Sequence, residues 1–204
     1  MLKECPQSII KHCDKCIELS RTQDLSFWAN FATIIKGAAL SRAGTPAEGL
    51  KLIEEGIASW LKTGSTITVV WWYSLCSEVH LANNDNHAAL QAAKMATEFL
   101  ERSQELQFLS EALIAKGDAL KALGEVNTAE GVYRHAIQSS TTHNNLYAEL
   151  RSTMALAQLY MDQGRHRDAR ALLAPVYRKI PESGENPYLI DASNILGQSN
   201  DHPA

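Results

Sequence analysis

The stretch ALSRAGTPAEG, residues 39–49, decides the fold class of this chain. The apolar residues before it recur at three- and four-residue steps, so a helix is predicted to end at this stretch. Gly44 suits the left-handed conformation that follows many helices, and Pro46 suits the first position of the next helix. Thr45 as N-cap and Glu48 three residues later match a capping box. The stretch therefore predicts a tight turn between two helices.

The same kind of turn recurs at a fixed interval of forty residues, at Gly44, Asn84, Gly124 and Gly164. Asparagine tolerates the left-handed region better than most residues, so Asn84 fits the series. A period in this range is typical of helical-hairpin solenoids, in which each hairpin buries its apolar face against its neighbours. The sequence therefore predicts an all-α solenoid of antiparallel helix pairs.

The array is predicted to cover residues 1–196, with a frayed tail over 197–204. The first helix is expected to be unpaired, and residues 181–185 are expected to form a breaker loop. Asn186 and Pro187 are expected to cap and begin a short closing helix. The predicted elements are the N-terminal segment 1–25, the helix pairs 26–63, 66–103, 106–142 and 146–180, and the capping helix 186–196.

Composition and charge exclude several classes of function. The formal net charge is −4 and no run of five Lys or Arg occurs, which argues against binding to nucleic acid or to anionic membranes. No apolar stretch reaches the length of a membrane span, and the N-terminus lacks the apolar region of a signal peptide. Three of the four cysteines crowd the first helix, unlike a secreted disulfide framework, so we expect a cytoplasmic protein.

Small residues recur where the two helices of each pair are expected to cross, and larger residues are expected to fill the gaps between them. The sets are Gly117 with Ala129, Tyr133 and Ala136; Gly37 with Gly49, Ile53 and Gly56; Ser77 with Ala89, Ala93 and Ala96; and Ala157 with Ala169, Leu173 and Val176. This arrangement resembles the tetratricopeptide (TPR) pattern, in which small residues allow two helices to approach closely. Because the usual TPR length is about 34 residues, these helices are expected to be longer by about a turn.

Four segments carry a more specific resemblance: residues 39–49, 56–60, 163–177 and 186–189. They resemble the C-terminal TPR region of large bacterial signalling ATPases and cyclase-like regulators. The resemblance covers nearly the whole chain and implies a protein-binding array in signalling or regulation. No phosphate-binding loop of the G-x-x-x-x-G-K-[ST] type occurs, so ATPase or cyclase activity is not carried over.

The TPR resemblance implies that the first helix of each pair lines a concave groove. The groove residues predicted to bind a partner are Trp71, Glu78, Glu111, Asp118, Lys121, Arg151 and Gln158. Trp and Arg are common in binding hot spots, so Trp71 and Arg151 are the main candidates. The alternative is that Trp71 belongs to the core and Arg151 is a solvated surface residue. Since consecutive helical residues point about 100° apart, we expect Trp71 in the groove and Trp72 or Tyr73 in the core.

His12, Cys13 and Cys16, with Cys5 nearby, raise the alternative of a zinc site. A structural zinc site usually has four ligands in two paired spacings, and no second C-x-x-C occurs. We therefore predict no metal and no cofactor, with the cysteines acting as small buried side chains.

No catalytic constellation is found, so the chain is predicted to be a scaffold and not an enzyme. It is expected to bind a peptide or protein segment in the groove. The alternative is a small-molecule-binding or enzymatic role in a pocket at the aromatic end of the groove. Exposed apolar ends of the array also allow a homodimer that forms by stacking of these ends.

Overall fold

The computed structural model describes residues 5–103, 105–181 and 187–197, and within these ranges the chain is helical without any strand. The helices are α1 Pro6–Thr22, α2 Ser26–Arg42, α3 Pro46–Lys62, α4 Val69–Ala82, α5 Asn86–Ser103, α6 Leu109–Ala122, α7 Val126–Thr142, α8 Leu146–Asp162, α9 His166–Tyr177 and α10 Pro187–Leu196, with a 3₁₀ turn Leu106–Phe108 before α6. The predicted cap Asn186, the breaker loop beyond Pro181 and the tail beyond Gly197 lie outside the described residues.

The chain divides into two compact units, unit 1 (Met1–Phe108) and unit 2 (Leu109–Ala204). Unit 1 contains α1 to α5 and the 3₁₀ turn, and unit 2 contains α6 to α10. In unit 1 the core is aromatic: Trp60 and Trp72 are fully buried, with ring centroids 5.7 Å apart. In unit 2 the core consists of smaller side chains around Tyr133 and Leu156.

Within the described residues, turns with a positive φ lie at twenty-residue steps from 24 to 84 and from 124 to 164, so they include positions beyond the predicted series. The four predicted positions have positive φ: Gly44 97°, Asn84 60°, Gly124 81° and Gly164 75°. Asp24, which precedes Gly44 in this series, and also Gly64 and Asn144 have positive φ at further turns. After most of these residues, the next amide donates to the carbonyl five positions earlier, as Thr45 does to Leu40 at 3.0 Å. This is the Schellman motif, which satisfies carbonyls at a helix end.

The first helix is paired, so the prediction of an unpaired α1 is wrong. It packs along α2 after a turn at Asp24, whose φ is 53°. The amide of Leu25 donates to the carbonyl of Ser20 at 2.8 Å, as in the other turns. Aspartate tolerates the left-handed region, but it does not mark such a turn as strongly as glycine does.

The predicted capping box at Thr45 is also wrong. The side chain of Thr45 caps no amide of α3, and its hydroxyl instead donates to the carbonyl of Leu40 at 3.0 Å. Thr45 lies directly after the left-handed Gly44, so it belongs to the Schellman turn of α2 as well as to the start of α3. The Thr45 hydroxyl is therefore used at the end of α2, and Thr45 and Glu48 do not form a capping box at the start of α3.

The helices of a pair approach closely at the predicted small residues. A Cβ at Gly37 would overlap the carbonyl oxygen of Gly49, and a Cβ at Gly49 would overlap the carbonyl oxygen of Gly37. In unit 2, a Cβ at Gly117 would overlap the ring of Tyr133. The predicted crossing positions in these two pairs are therefore confirmed, and close packing makes them intolerant of larger residues.

A polar cluster in unit 2 joins α7, α8 and the turn before α9. The hydroxyl of Tyr160 donates to Glu130 at 2.8 Å and accepts from Arg134 at 2.6 Å. The guanidinium of Arg165 lies 3.8 Å from the centroid of the Tyr160 ring. Burial acts to raise the pKa of Glu130, but hydrogen bonds from Arg134 and Tyr160 and the nearby arginine charges outweigh it, so this pKa is lowered.

Replacing Gly117 with leucine is expected to destabilise the fold by about 1–3 kcal/mol, because the side chain must displace the buried ring of Tyr133. Chemical denaturation followed by circular dichroism measures this change. Gly131→Leu is the matched control, since Gly131 lies in α7 with open space around it. That variant should be neutral or slightly stabilising, because leucine is a better helix former than glycine. Equal effects of the two substitutions would contradict the crossing assignment.

The lowered pKa of Glu130 predicts a pH-dependent stability. Its contribution is complete above the ordinary carboxyl pKa of 4.5 and is lost as the pH falls through the lower folded value. Glu130→Gln is therefore expected to lower the melting temperature at neutral pH, and its difference from wild type should shrink on acidification. The exposed Glu98→Gln serves as the control. A difference for Glu130→Gln that stays constant down to about pH 3 would refute this role of the charge.

Candidate interaction surface

The seven predicted partner-binding residues lie on the first helices of the pairs, two in unit 1 and five in unit 2. Trp71 and Glu78 lie on α4 of unit 1. The others lie on α6 and α8 of unit 2: Glu111, Asp118, Lys121, Arg151 and Gln158. We call the face that these five residues form the α6–α8 surface.

Trp71 is half-buried in a continuous stack of rings. Its ring centroid lies 4.7 Å from that of Trp72 and 6.2 Å from that of Phe108, with an angle of 3° between the planes of the latter pair. Trp72 is fully buried, as the sequence predicts for one ring of this cluster. These ring contacts support the alternative that Trp71 is largely a core residue. Its contact with a partner stays a prediction.

Glu78 forms an ion pair between two first helices of unit 1. Its carboxylate accepts a hydrogen bond from Arg42 of α2 at 2.8 Å. The pair borders a small depression that Ala38, Ser41 and Val79 help to line, with a volume of about 100 Å³. The Glu78 side chain is 54% exposed, so a partner can reach this carboxylate.

In unit 2, the guanidinium of Arg151 is held from two sides. It donates a hydrogen bond to the carboxylate of Glu111 on α6, and it lies 5.3 Å from the ring centroid of Tyr188 on α10. The two charged side chains are partly buried, 29% exposed for Arg151 and 19% for Glu111. Arg151 is therefore neither a core residue nor a freely solvated one, but a cation with a defined position.

The pair Glu111–Arg151 occupies the same repeat positions as an aromatic contact in unit 1. Forty-residue steps relate Phe31, Trp71, Glu111 and Arg151. In unit 1 the rings of Phe31 and Trp71 lie 6.4 Å apart, whereas in unit 2 the equivalent side chains form an ion pair. One contact between consecutive first helices is thus apolar in one unit and ionic in the other.

The remaining residues of the α6–α8 surface are also engaged. Asp118 accepts a hydrogen bond from the hydroxyl of Tyr133, whose pKa is raised by burial and by the Asp118 carboxylate, so the phenol stays protonated. The carboxylate of Asp162 lies 3.4 Å from the ammonium of Lys121 and accepts from Gln158 at 2.8 Å. The chemistry of the α6–α8 surface is therefore that of paired charges. Sequence analysis missed Asp162 and Tyr188. The position of Asp162 four residues after Gln158 was the available signal for the first of these.

The described residues show no cluster of metal ligands. Within residues 5–103, 105–181 and 187–197, no group of three or more potential metal ligands lies together. Burial raises the pKa of the Cys13 thiol to about 11 and that of Cys76 to about 12, so both are neutral thiols at pH 7. In the described part of the chain, no helix is both long and apolar enough to span a bilayer.

Comparison with known proteins places the fold among the TPR-like helical repeats. The chain is similar to BtubC (BKLC) of P. vanneervenii, with a TM-score of 0.71 and 12% identity over 96% of this chain and 86% of that one. It is similar to a kinesin light chain-like protein with nearly identical TPR-like repeats from Podosopora anserina, with a TM-score of 0.62 and 17% identity over 82% of each chain.

A third similar structure is a signal transduction ATPase with numerous domains and a TPR sensor from Pyrococcus horikoshii, with a TM-score of 0.62 and 13% identity. The match covers 85% of this chain but 26% of that protein. No family model and no curated protein matches the chain. The predicted all-α, TPR-like fold is confirmed, and at these identities the likeness shows the fold alone.

The ion pair of Glu111 and Arg151 predicts an energetic coupling of about 1 kcal/mol in a double-mutant cycle with Glu111→Gln and Arg151→Gln. The more exposed pair of Arg42 and Glu78 is the control, and its coupling should be smaller because solvent screens it. Urea denaturation of the single and double variants measures both couplings. Additive effects of the Glu111 and Arg151 substitutions would show that the pair contributes nothing.

Proposed function

We propose that this chain is a non-catalytic scaffold that binds a peptide or protein segment on the first-helix faces of its helix pairs. The observation that carries the proposal is the α6–α8 surface, where each of the five predicted residues takes part in an ion pair or a hydrogen bond of unit 2. A TPR-like fold supports such a role because its regular helix pairs present side chains at repeated positions. The α6–α8 surface offers both signs of charge, so the proposed partner segment carries acidic and basic residues.

The proposed mechanism is an exchange of ion-pair partners. Arg151 and Lys121 each already contact a carboxylate, Glu111 and Asp162 respectively. A carboxylate of the partner can join or replace that contact without leaving a cation unpaired. Tyr188 restricts the guanidinium of Arg151, so less side-chain freedom is lost on binding. Arg151 is thus the proposed centre of recognition, and charge matching supplies the specificity.

The proposed setting is bacterial signalling or regulation in the cytoplasm. The similar structure from Pyrococcus horikoshii is described as a signal transduction ATPase with a TPR sensor, which supports a sensing role for such arrays. In unit 1 the rings of Trp71, Trp72 and Phe31 pack on each other. This packing supports a structural role for the aromatic cluster over a role as a small-molecule pocket.

The first test is affinity capture from a bacterial lysate with three baits: wild type, the double variant Lys121→Glu with Arg151→Glu, and Arg167→Glu. Arg167 is an exposed residue of α9, and its substitution controls for a charge reversal elsewhere in unit 2. We expect a protein that wild type and Arg167→Glu retain and that the double variant loses. Titration calorimetry with that purified protein should then show at least about a tenfold weaker affinity of the double variant.

Circular dichroism of each bait must first show unchanged helicity, since Arg151→Glu places a second carboxylate beside Glu111. Equal binding of the captured protein by all three baits would exclude the α6–α8 surface. If no protein distinguishes wild type from the double variant, the proposed binding role of this surface is refuted.

A further inference from the structure

Exposed apolar side chains concentrate on one edge of unit 1. Six large apolar residues of this unit are exposed: Leu19, Leu25, Phe27, Trp28, Ile67 and Leu106. All six lie near the C-termini of α1 and α5 or the N-termini of α2 and α4. Because consecutive helices are antiparallel, these ends lie on the same edge. We call this edge of unit 1 the apolar edge.

Contacts within unit 1 show that these helix ends are adjacent. The ring centroid of Phe27 lies 4.5 Å from that of Trp60 near the end of α3. The amide of Thr68 donates to the carboxylate of Glu105 at 3.2 Å, which joins the start of α4 to the segment after α5. The opposite edge, with the turns at Gly44 and Asn84, bears none of the exposed large apolar residues in the described part of unit 1.

The apolar edge contains a hollow and a projection. A shallow hollow of about 340 Å³ lies between α1 and α2, with Leu19, Leu25 and Trp28 among its lining residues. Ile67, just before α4, is 59% exposed and projects from the same edge. A surface with both features can pair with itself, because in a two-fold dimer each copy gives its projection and receives that of its partner.

The charges on this edge favour a second copy over other occupants. The last turns of α1, α3 and α5 contain the basic residues Arg21, Lys62 and Arg102 respectively. Asp24 and Glu101 are exposed at the same ends, so both signs of charge surround the apolar side chains. An anionic membrane requires a basic excess, whereas a mixed rim can match itself across a two-fold axis. Exposed apolar patches of this kind with a polar rim mark interaction sites.

We infer that the apolar edge is the interface of a homodimer, in which Ile67 of each copy enters the hollow beside Leu25 and Trp28 of the other. This interface lies on an edge of unit 1 and not at the ends of the array. It is independent of the proposed binding role of the α6–α8 surface in unit 2, so a partner-binding assay and a dimer assay can fail separately.

Sedimentation equilibrium of the full chain between about 1 and 200 µM tests the dimer. Wild type should dimerise, and Ile67→Lys and Leu25→Lys should each raise the dimer dissociation constant by at least about tenfold. Tyr147→Lys is the matched control, because Tyr147 is an exposed apolar residue at the repeat position of Ile67 in unit 2. A wild-type chain that stays monomeric at the highest concentration, or edge variants that dimerise like wild type, would overturn the inference.

Mixing two variants tests the pairing of projection and hollow. In a mixed dimer of Ile67→Asp and Leu25→Lys chains, one contact brings the introduced carboxylate to the introduced ammonium, and the other keeps the wild-type side chains. Each homodimer instead has two mismatched contacts. The equimolar mixture should therefore dimerise about tenfold more tightly than either variant alone. A mixture that associates no better than the separate variants would show that Ile67 does not contact the Leu25 hollow.

Discussion

The close crossing of helices at Gly37, Gly49 and Gly117 is the contact on which the helix pairs depend, and the twenty-residue register makes it possible. The helices α1, α2, α7 and α8 each contain 17 residues, and three turn residues complete the step. At the described turns of this series, a left-handed residue reverses the chain, so that small residues of the two helices meet at the same height. A single inserted residue would rotate the following helix by about 100° and would place large residues at the crossings.

The same register separates structural from variable positions. Crossing positions remain small, whereas the outward position on the first helices changes from Phe31 and Trp71 in unit 1 to Glu111 and Arg151 in unit 2. The contact between consecutive first helices survives in both forms, as a ring contact and as an ion pair. The fold therefore allows the surface chemistry to differ between units while the backbone arrangement is kept.

This division assigns different interaction chemistry to the two units. All four tryptophans lie in unit 1, where two fill the core and Trp28 is 51% exposed on the apolar edge. Unit 2 instead has partly buried charges that are already paired, as in the contacts of Arg151 and Lys121. Apolar area suits permanent association of like chains, whereas paired charges suit selective and reversible binding. In our proposals, unit 1 mediates self-association and unit 2 recognises the partner, so one chain has both roles.

The sequence by itself determined the helices, four of the turns and the crossing positions, because these follow from local backbone preferences and residue size. Gly44 and Gly117 are examples, since each requires a residue without a Cβ or with a flexible backbone. Only the tertiary structure decided that Asp24 pairs α1 with α2, that the Thr45 hydroxyl serves the preceding helix, and that Arg151 lies between Glu111 and Tyr188. The physical reason is that a polar side chain has several partners within reach, and the packing of residues distant in sequence selects among them.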